Sequence, residues 1–297
     1  MGALSRIAAA LLAAAALAGC GGPGEETTSE RATAPPPERI VVVSPSLAEI
    51  VFRLGEGGRI VGVGDFVRYP AEAAELPRIG GLFDPRLERI VALQPDLAIL
   101  LPSEQELATR LQGLGIQILT VPAETLDDVE AALATIGRRL GASARAEALV
   151  AEWRERLAPD PLSGAPRVVL SLAREGGRLS QVLCAGPGTF FDELLDRLGA
   201  VNLMADAPVR YPQVGPEEIV ERRPEVIVEL QPEPPSEEQG ARMVQEWERL
   251  LGRGRVCVRL ISGDHTLLPG PRLPRLYAEL GEAIGSCAAL EPETVGS

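Results

Sequence analysis

The chain has 297 residues, 45% hydrophobic and 24% charged, a composition that excludes wholesale disorder and collagen-like repeats. Its 42 acidic residues outweigh 29 basic ones, and the formal charge of −13 argues against nucleic acid or an anionic membrane surface as main partner. Every basic residue is Arg and there is one His, which removes the Gly-Lys phosphate loop, Schiff-base chemistry and any three-His zinc site.

Residues 1–19 read as a secretory signal: Arg6 precedes an apolar run from Ile7 to Leu17. As a helix that run rises only about 16 Å, roughly half a bilayer core, too short to span. Leu17-Ala18-Gly19-Cys20 resembles the lipobox of bacterial lipoproteins, which implies cleavage before Cys20 and acylation of its thiol. Two or three acyl chains, at about 0.8 kcal/mol per buried methylene, tether firmly. Residues 21–38 are mainly Gly, Pro, Glu, Thr and Ala without an apolar period, and with Cys20 they make a flexible acylated tether over 20–38. The chain is thus expected outside the cytoplasm, anchored to the cell membrane through lipid.

Globular signals begin at Arg39. Ile40 to Val43 is a β-branched run of the kind buried on both faces of a parallel sheet. Ser46-Leu47-Ala48-Glu49 has capping-box spacing and opens a helix that stops at Gly55. Strand Ile60–Val63, helix Arg86–Leu93, strand Leu97–Leu101, helix Ser103–Leu114 and strand Gln117–Val121 follow, an α/β lobe over 39–141. Thr125-x-x-Asp128 caps a helix ending at Gly141, and Ser143 opens another, Ala144 to Leu157, with Ala148, Leu149, Trp153 and Leu157 near one face. Residues 142–160 are read as a helical link, broken by Asp160-Pro-Leu-Ser-Gly164. A second α/β lobe spans 165–287: strands Arg167–Leu172, Leu179–Leu183, Val226–Leu230 and Val256–Leu260, and helices Thr189–Leu198, Arg242–Leu251 and Arg272–Ile284. Gln231 to Gly240 is a Pro/Glu-rich loop, and 288–297 a frayed tail.

The two halves resemble each other. Glu49-Ile-Val-Phe-Arg-Leu-Gly55 parallels Glu193-Leu-Leu-Asp-Arg-Leu-Gly199, and the segment from Glu88 to Leu97 parallels the one from Glu217 to Val226, 129 residues on. Two like lobes with a helical link make a cleft, where small ligands bind.

Catalytic signals are weak. Gly186-Pro-Gly188-Thr189 could cradle an anion but reads better as a turn into a helix. Ser262-Gly263-Asp264-His265 places an acid beside the only His without a nucleophile, and no Gly-x-Ser-x-Gly elbow exists. Cys184, Cys257 and Cys287 lack Cys-x-x-Cys spacing; in an oxidising compartment they leave one disulfide and one thiol, the pairing open. The chain is therefore read as no enzyme, with no catalytic residue, metal site or cofactor. The scarce aromatics fall in loops: Phe66, Tyr69 and Phe83 between Gly62 and Pro85, and Tyr211 in a Pro-flanked loop. His265 lies in the loop 262–271.

Arg39-Ile-Val-Val-Val-Ser-Pro-Ser-Leu-Ala-Glu49, Val61-Gly-Val-Gly-Asp65, Tyr69-Pro, Pro77-Arg-Ile-Gly-Gly81, Leu87 to Leu97 and Pro212-Gln-Val-Gly-Pro-Glu217 resemble the cobalamin, ferric-siderophore and haem substrate-binding proteins of ABC importers, most of all the cobalamin branch. The resemblance, over about 39–285, implies two Rossmann-like lobes joined by a single long backbone α-helix, Ala144 to Leu157, with the ligand in the cleft. It matches pocket aromatics to Phe66 and Tyr211 and a late Asp to Asp264; Leu82 and Leu101 stand where that branch carries Trp, and Leu268 where it carries Arg. The expected ligand-binding set is Ser46, Phe66, Tyr69, Phe83, Tyr211, Asp264 and His265; Glu88 and Glu217, one per lobe, match the glutamates that dock on permease arginines. The resemblance implies a monomer that delivers cobalamin or a related corrinoid to an ABC permease and its ATPase. Haem, with His265 or a Tyr as axial ligand, and an anionic ferric siderophore, with Arg68, Arg174 and Arg210 available, are the alternatives. A sensor or scaffold domain is the alternative outside transport.

Overall fold

Continuous apolar runs become parallel strands buried on both faces, and the intervening amphipathic segments cover them. The computed structural model describes residues 35–82, 84–174 and 179–288; the signal segment, Cys20 and Phe83 lie outside the described residues. In the first lobe β1 (Ile40–Val42), β2 (Ile60–Val63), β3 (Leu97–Leu100) and β4 (Gln117–Thr120) form a parallel sheet ordered β2-β1-β3-β4. β1 and β3 are wholly buried, while the polar ends of edge strand β4 face solvent. Helices α1 (Pro45–Arg53), α2 (Leu87–Ala92) and α3 (Gln105–Gln112) connect them.

The second lobe repeats this plan. β5 (Arg167–Arg174), α6 (Phe190–Arg197), β7 (Val201–Asn202), α7 (Pro216–Arg222), β9 (Val226–Gln231), α8 (Glu237–Leu251) and β10 (Cys257–Ser262) follow in the order of the first lobe, and parallel pairing gives β7-β5-β9-β10. Two short antiparallel strands, β6 (Val182–Cys184) and β8 (Gln213–Val214), extend the sheet, and α9 (Leu273–Ala288) closes it.

The duplication extends to a side-chain clasp. In the first lobe the Arg39 N–H donates to the Asp96 carboxylate at 3.1 Å, and its guanidinium donates to the Leu93 and Gln94 carbonyls at 2.6 and 3.0 Å. In the second, the Arg167 N–H donates to Glu225 at 2.9 Å and its guanidinium to the carbonyls of Arg222 and Arg223 at 2.6 and 3.4 Å. Gln94 and Arg223 turn each chain with φ of 48° and 50°, a left-handed conformation for a residue with a side chain. Both clasps pin the end of a helix, α2 or α7, to the start of a central strand.

Two helices tie the lobes. α4 (Leu126–Leu140) starts at the capping box of Thr125 and Asp128 and ends at Gly141, φ 78°, as the spacing predicts. Its Leu126 and Val129 join the second core beside Phe190 and Phe191, and its Leu133, Ile136 and Leu140 join the first beside Leu47 and Ile50. α5 (Ser143–Arg156) returns alongside, Ala146 and Leu149 in the first core, Trp153 and the following Leu157 in the second. The segment expected to link the lobes alone is thus one of a pair.

Two local readings change. α1 begins at Pro45 with Ser44 as N-cap and no side-chain cap, because Pro occupies the first turn and Glu49 is drawn to a partner elsewhere; the Ser46–Glu49 capping box does not form. α8 begins at Glu237, inside the expected loop, where Ser236 and Gln239 cap each other. Cys257 pairs with Cys287, Cα atoms 5.7 Å apart, and Cys184 is a buried free thiol whose pKa burial pushes up to about 12.

Gly64 follows β2 where the backbone passes the end of β1: its N–H donates to Val42 O, and a Cβ there would lie 2.1 Å from Val43 O. A backbone oxygen at the end of a parallel ladder has little room to move aside. Gly64→Ala is expected to destabilise by about 2–4 kcal/mol, read as a lower urea midpoint at unchanged m.

Candidate ligand cleft

In parallel α/β sheets the loops beyond the carboxyl ends of the strands form the binding crevice. Here such loops from both lobes meet. After β1 comes Pro45; after β2, Phe66, Arg68 and Tyr69; after β9, Pro232 and Glu233; after β10, Asp264, Leu267 and Leu268. Together with Glu49 and Gln231 they line a cavity of about 530 Å³. A second cavity of about 660 Å³ shares Gln231, Pro232, Glu233 and Leu267 with it and runs on to Arg174, Glu229, Met243 and Glu246.

One guanidinium organises the floor. Arg272, between Pro271 and α9, donates twice to the Glu49 carboxylate of α1, at 2.9 and 2.5 Å, and once to Asp264 at 2.6 Å. It also lies over the Tyr69 ring, 4.3 Å from the centroid. Glu49 is 2% exposed, and burial raises its pKa even though the Arg272 hydrogen bonds and charge oppose that shift. Burial also pushes Asp264 upward, but Arg272 outweighs it and holds that carboxyl below its usual value.

The other arginines around the cleft are matched too. Arg68 meets Glu233 across the lobes at 3.0 Å. Arg174 pairs with Glu229 and, at 2.6 Å, with Glu246, and its guanidinium lies 5.4 Å from the Trp247 ring centroid. Arg242 pairs with Glu238 at 3.3 Å, and Arg210 lies 3.8 Å from Glu124. Arg68, Arg174 and Arg210, read from the sequence as available to an anion, are all engaged.

Of the expected ligand-binding residues the cleft gathers Phe66, Tyr69 and Asp264. Phe66 is 63% exposed, an apolar ring in water at the cleft wall. Ser46 is buried beneath Gly270 with its hydroxyl 2.9 Å from that of Ser44, so it does not line the cavity. His265 turns away from Asp264: it is buried, its Nε2 2.7 Å from Glu279. Tyr211 lies outside both cavity linings and donates its hydroxyl to Glu124 at 3.3 Å; burial first, then the Glu124 charge, pushes that phenol up to about 12. Leu268 lines the cleft, whereas Leu82 and Leu101 pack against the first lobe's cores. The Gly186–Thr189 turn is filled from within: Thr189 caps α6, and Asp192 accepts from the Gly188 N–H at 3.2 Å.

Glu88 and Glu217 stand exposed in the first turns of α2 and α7, and neither makes an ion pair among the described residues. Arg272 and Glu49 are the site residues that sequence reasoning missed. The Pro271-Arg-Leu-Pro274 bracket was the available signal, since a charge between prolines at a helix start has a fixed direction. Among the described residues no cluster of three or more His, Cys, Asp or Glu could hold a metal ion, and no helix is long and apolar enough to cross a membrane.

Two like α/β lobes facing across a cleft are the architecture of a solute-binding protein. Residues 40–246 match the family described as periplasmic binding protein, and the chain belongs to that family. It is 34% identical over 201 residues to a cobalamin-binding protein of Halobacterium salinarum, covering 63% of this chain and 52% of that one, so it spans about half the length of that curated relative. It is 30% identical over 193 residues to a vitamin B12-binding protein of Vibrio cholerae, covering 63% of this chain and 68% of that one. The crystal structure of the periplasmic vitamin B12 binding protein of Vibrio cholerae superposes with a TM-score of 0.68 at 25% identity, over 86% of this chain and 99% of that one. A periplasmic haem binding protein from Pseudomonas aeruginosa superposes with a TM-score of 0.71 at 27% identity, over 87% and 95%.

Removing Arg272 strands Glu49 in the interior. Arg272→Met is expected to cost about 3–5 kcal/mol at neutral pH. The loss grows as pH rises through the carboxylate range, because the unfolded chain ionises Glu49 freely while the folded one resists it. Adding Glu49→Gln should restore much of the stability; a double variant no more stable than Arg272→Met alone would show that the buried charge is not the cause.

Proposed function

We propose that this chain is the extracytoplasmic substrate-binding component of an ABC importer, with cobalamin or a related corrinoid as cargo. One observation carries the choice of ligand: every arginine lining the cleft is already paired with a carboxylate. An anionic chelate or the propionates of haem need free cations to replace their hydration. Arg174 and Arg272 could be freed only by breaking a buried pair, at high cost. The exposed Arg68 and Arg242 bring carboxylates of their own to the rim, so the cleft holds more acids than arginines and disfavours an anion. Haem further wants an axial ligand. His265 is held on Glu279 away from the cleft, Tyr211 lies outside both cavity linings with its hydroxyl on Glu124, and the Tyr69 ring lies under Arg272. A corrinoid with no net charge asks for large apolar and amide-lined walls. Phe66, Pro232, Leu267 and Leu268, with Gln231 between the two cavities, supply them. The adjoining cavities, about 530 and 660 Å³, together exceed the usual size of a pocket for a drug-like molecule.

In this reading Cys20 carries the lipid and the protein acts as a monomer. Glu88 and Glu217 meet arginines of the permease, one from each lobe. Their lack of ion-pair partners among the described residues supports that role, since a surface carboxylate costs little to leave free and gains a bidentate partner on docking.

Cyanocobalamin should co-elute with the protein in gel filtration with a corrinoid absorbance band, whereas haemin should not. Phe66→Ala should weaken corrinoid binding by about 1–3 kcal/mol, the apolar area of one ring. Retention of haemin alone would overturn the corrinoid assignment. Glu88→Arg with Glu217→Arg should leave corrinoid affinity and Tm unchanged while abolishing uptake, because each reversal sets like charges together across a partly desolvated interface. Full uptake by that double variant would remove the docking role.

A further inference from the structure

We infer that the docking surface consists of two matched carboxylate–valine pairs, Glu88 with Val91 and Glu217 with Val220, and that its partner offers two equivalent sites, each a basic side chain beside an apolar recess. The inference rests on the docking role of the glutamates and adds residues and a geometry to it.

Sequence and structure coincide at these helices. In Glu88-Arg-Ile-Val91 and Glu217-Glu-Ile-Val220 the isoleucines, Ile90 and Ile219, are fully buried and anchor each helix in its lobe. The valines that follow are 39% and 41% exposed. Each lies three residues beyond its glutamate, so acid and valine share a helix face. Helix propensity gives no reason for Val there, since β-branched residues are among the weaker helix formers and neither valine is packed in a core. A single exposed apolar residue is ordinary. Two at equivalent points of a duplicated fold, each beside an unpaired acid, form a repeated patch.

The placement is rigid. The Arg39 and Arg167 clasps tie the carboxyl ends of α2 and α7 to the central strands, and α4 and α5 hold the two cores together. Arg222 is occupied by Glu218 and Asp206, which leaves Glu217 free to face a cation from outside. A carboxylate supplies orientation and attraction at a distance, and the neighbouring valine supplies a contact that salt cannot screen. The unpaired carboxylates select a cationic partner, and the repeat selects one with two like halves, the form of a permease built from two equivalent subunits.

The test measures docking of the purified protein on its permease in lipid nanodiscs, by biolayer interferometry at low and high salt. Val91→Ser and Val220→Ser should each weaken docking roughly tenfold, the double variant roughly a hundredfold, equally at both salt concentrations. Glu88→Gln with Glu217→Gln should weaken docking at low salt and much less at high salt. Leu114→Ser, which alters a residue 55% exposed on another helix end, should leave docking unchanged. Thermal melts of the valine variants should match the parent, since the side chains removed are on the surface. Wild-type docking by the valine variants, with loss only in the glutamine variant, overturns the inference and leaves the docking role of the glutamates intact. Loss confined to one valine overturns the two-fold match. Wild-type docking by the glutamine variant removes the docking role and this inference with it.

Discussion

The cleft depends on one guanidinium. Arg272 is the only arginine among the described residues that binds a buried carboxylate of the opposite lobe. Taking both charges out of water costs several kcal/mol each, and the geometry recovers it: a planar fork on Glu49, a third donor on Asp264 and a ring face against Tyr69. A lysine could not make that set of contacts. The exposed Arg68–Glu233 pair also crosses the lobes, but solvent screens it to about 0.2–1 kcal/mol, so it trims the mouth and does not set the lobe angle. Because Arg272 consumes its own charge in holding the lobes, it gives the cleft no free cation. The same bond that fixes the angle therefore fixes the chemistry of what can sit above it.

The duplicated plan explains why one such bond suffices. Each lobe has its own parallel sheet, and the two cores are joined by α4 and α5, which run side by side and place side chains in both. Bending about that link would have to shear two packed helices and open two cores together. Close packing makes this far harder than a swing about paired extended strands. Lobe separation is thus set by the helices, lobe rotation is checked by Arg272, and the outward faces of α2 and α7 inherit a fixed spacing.

How far this was legible in the sequence follows from where each determinant is written. β-branched runs place the central strands, the Thr125–Asp128 spacing and Gly141 mark both ends of α4, and the paired segments announce the repeat, because these are local signals. The Ser46–Glu49 spacing misleads, since Pro45 takes the helix start and the glutamate is claimed by a residue 223 positions away. The Pro/Glu-rich composition of Gln231–Gly240 hides both the start of α8 and three wall residues of the cleft, Gln231, Pro232 and Glu233. Neighbours in sequence can also point apart: Asp264 turns to Arg272 and His265 to Glu279, so a pairing inferred from adjacency dissolves. The disulfide joins cysteines brought together by β10 and α9, a contact that three equivalent thiols could not reveal.

The formal charge of −13 then acquires a location and a use. Around the cleft six carboxylates hold four arginines, and the rest of the acidic surplus lies on the exterior. A negative exterior repels anionic chelates before they reach the cleft and leaves the approach of a neutral ligand untouched. In the proposed reading it also draws the whole molecule toward a basic surface, with Glu88 and Glu217 on opposite lobes to fix the orientation of contact. In the proposed reading ligand selection and partner selection thus use carboxylates in two ways, as the partners that occupy every cleft arginine and as free acids on the exterior. A substitution that frees one cleft arginine would change the first while leaving the second nearly intact.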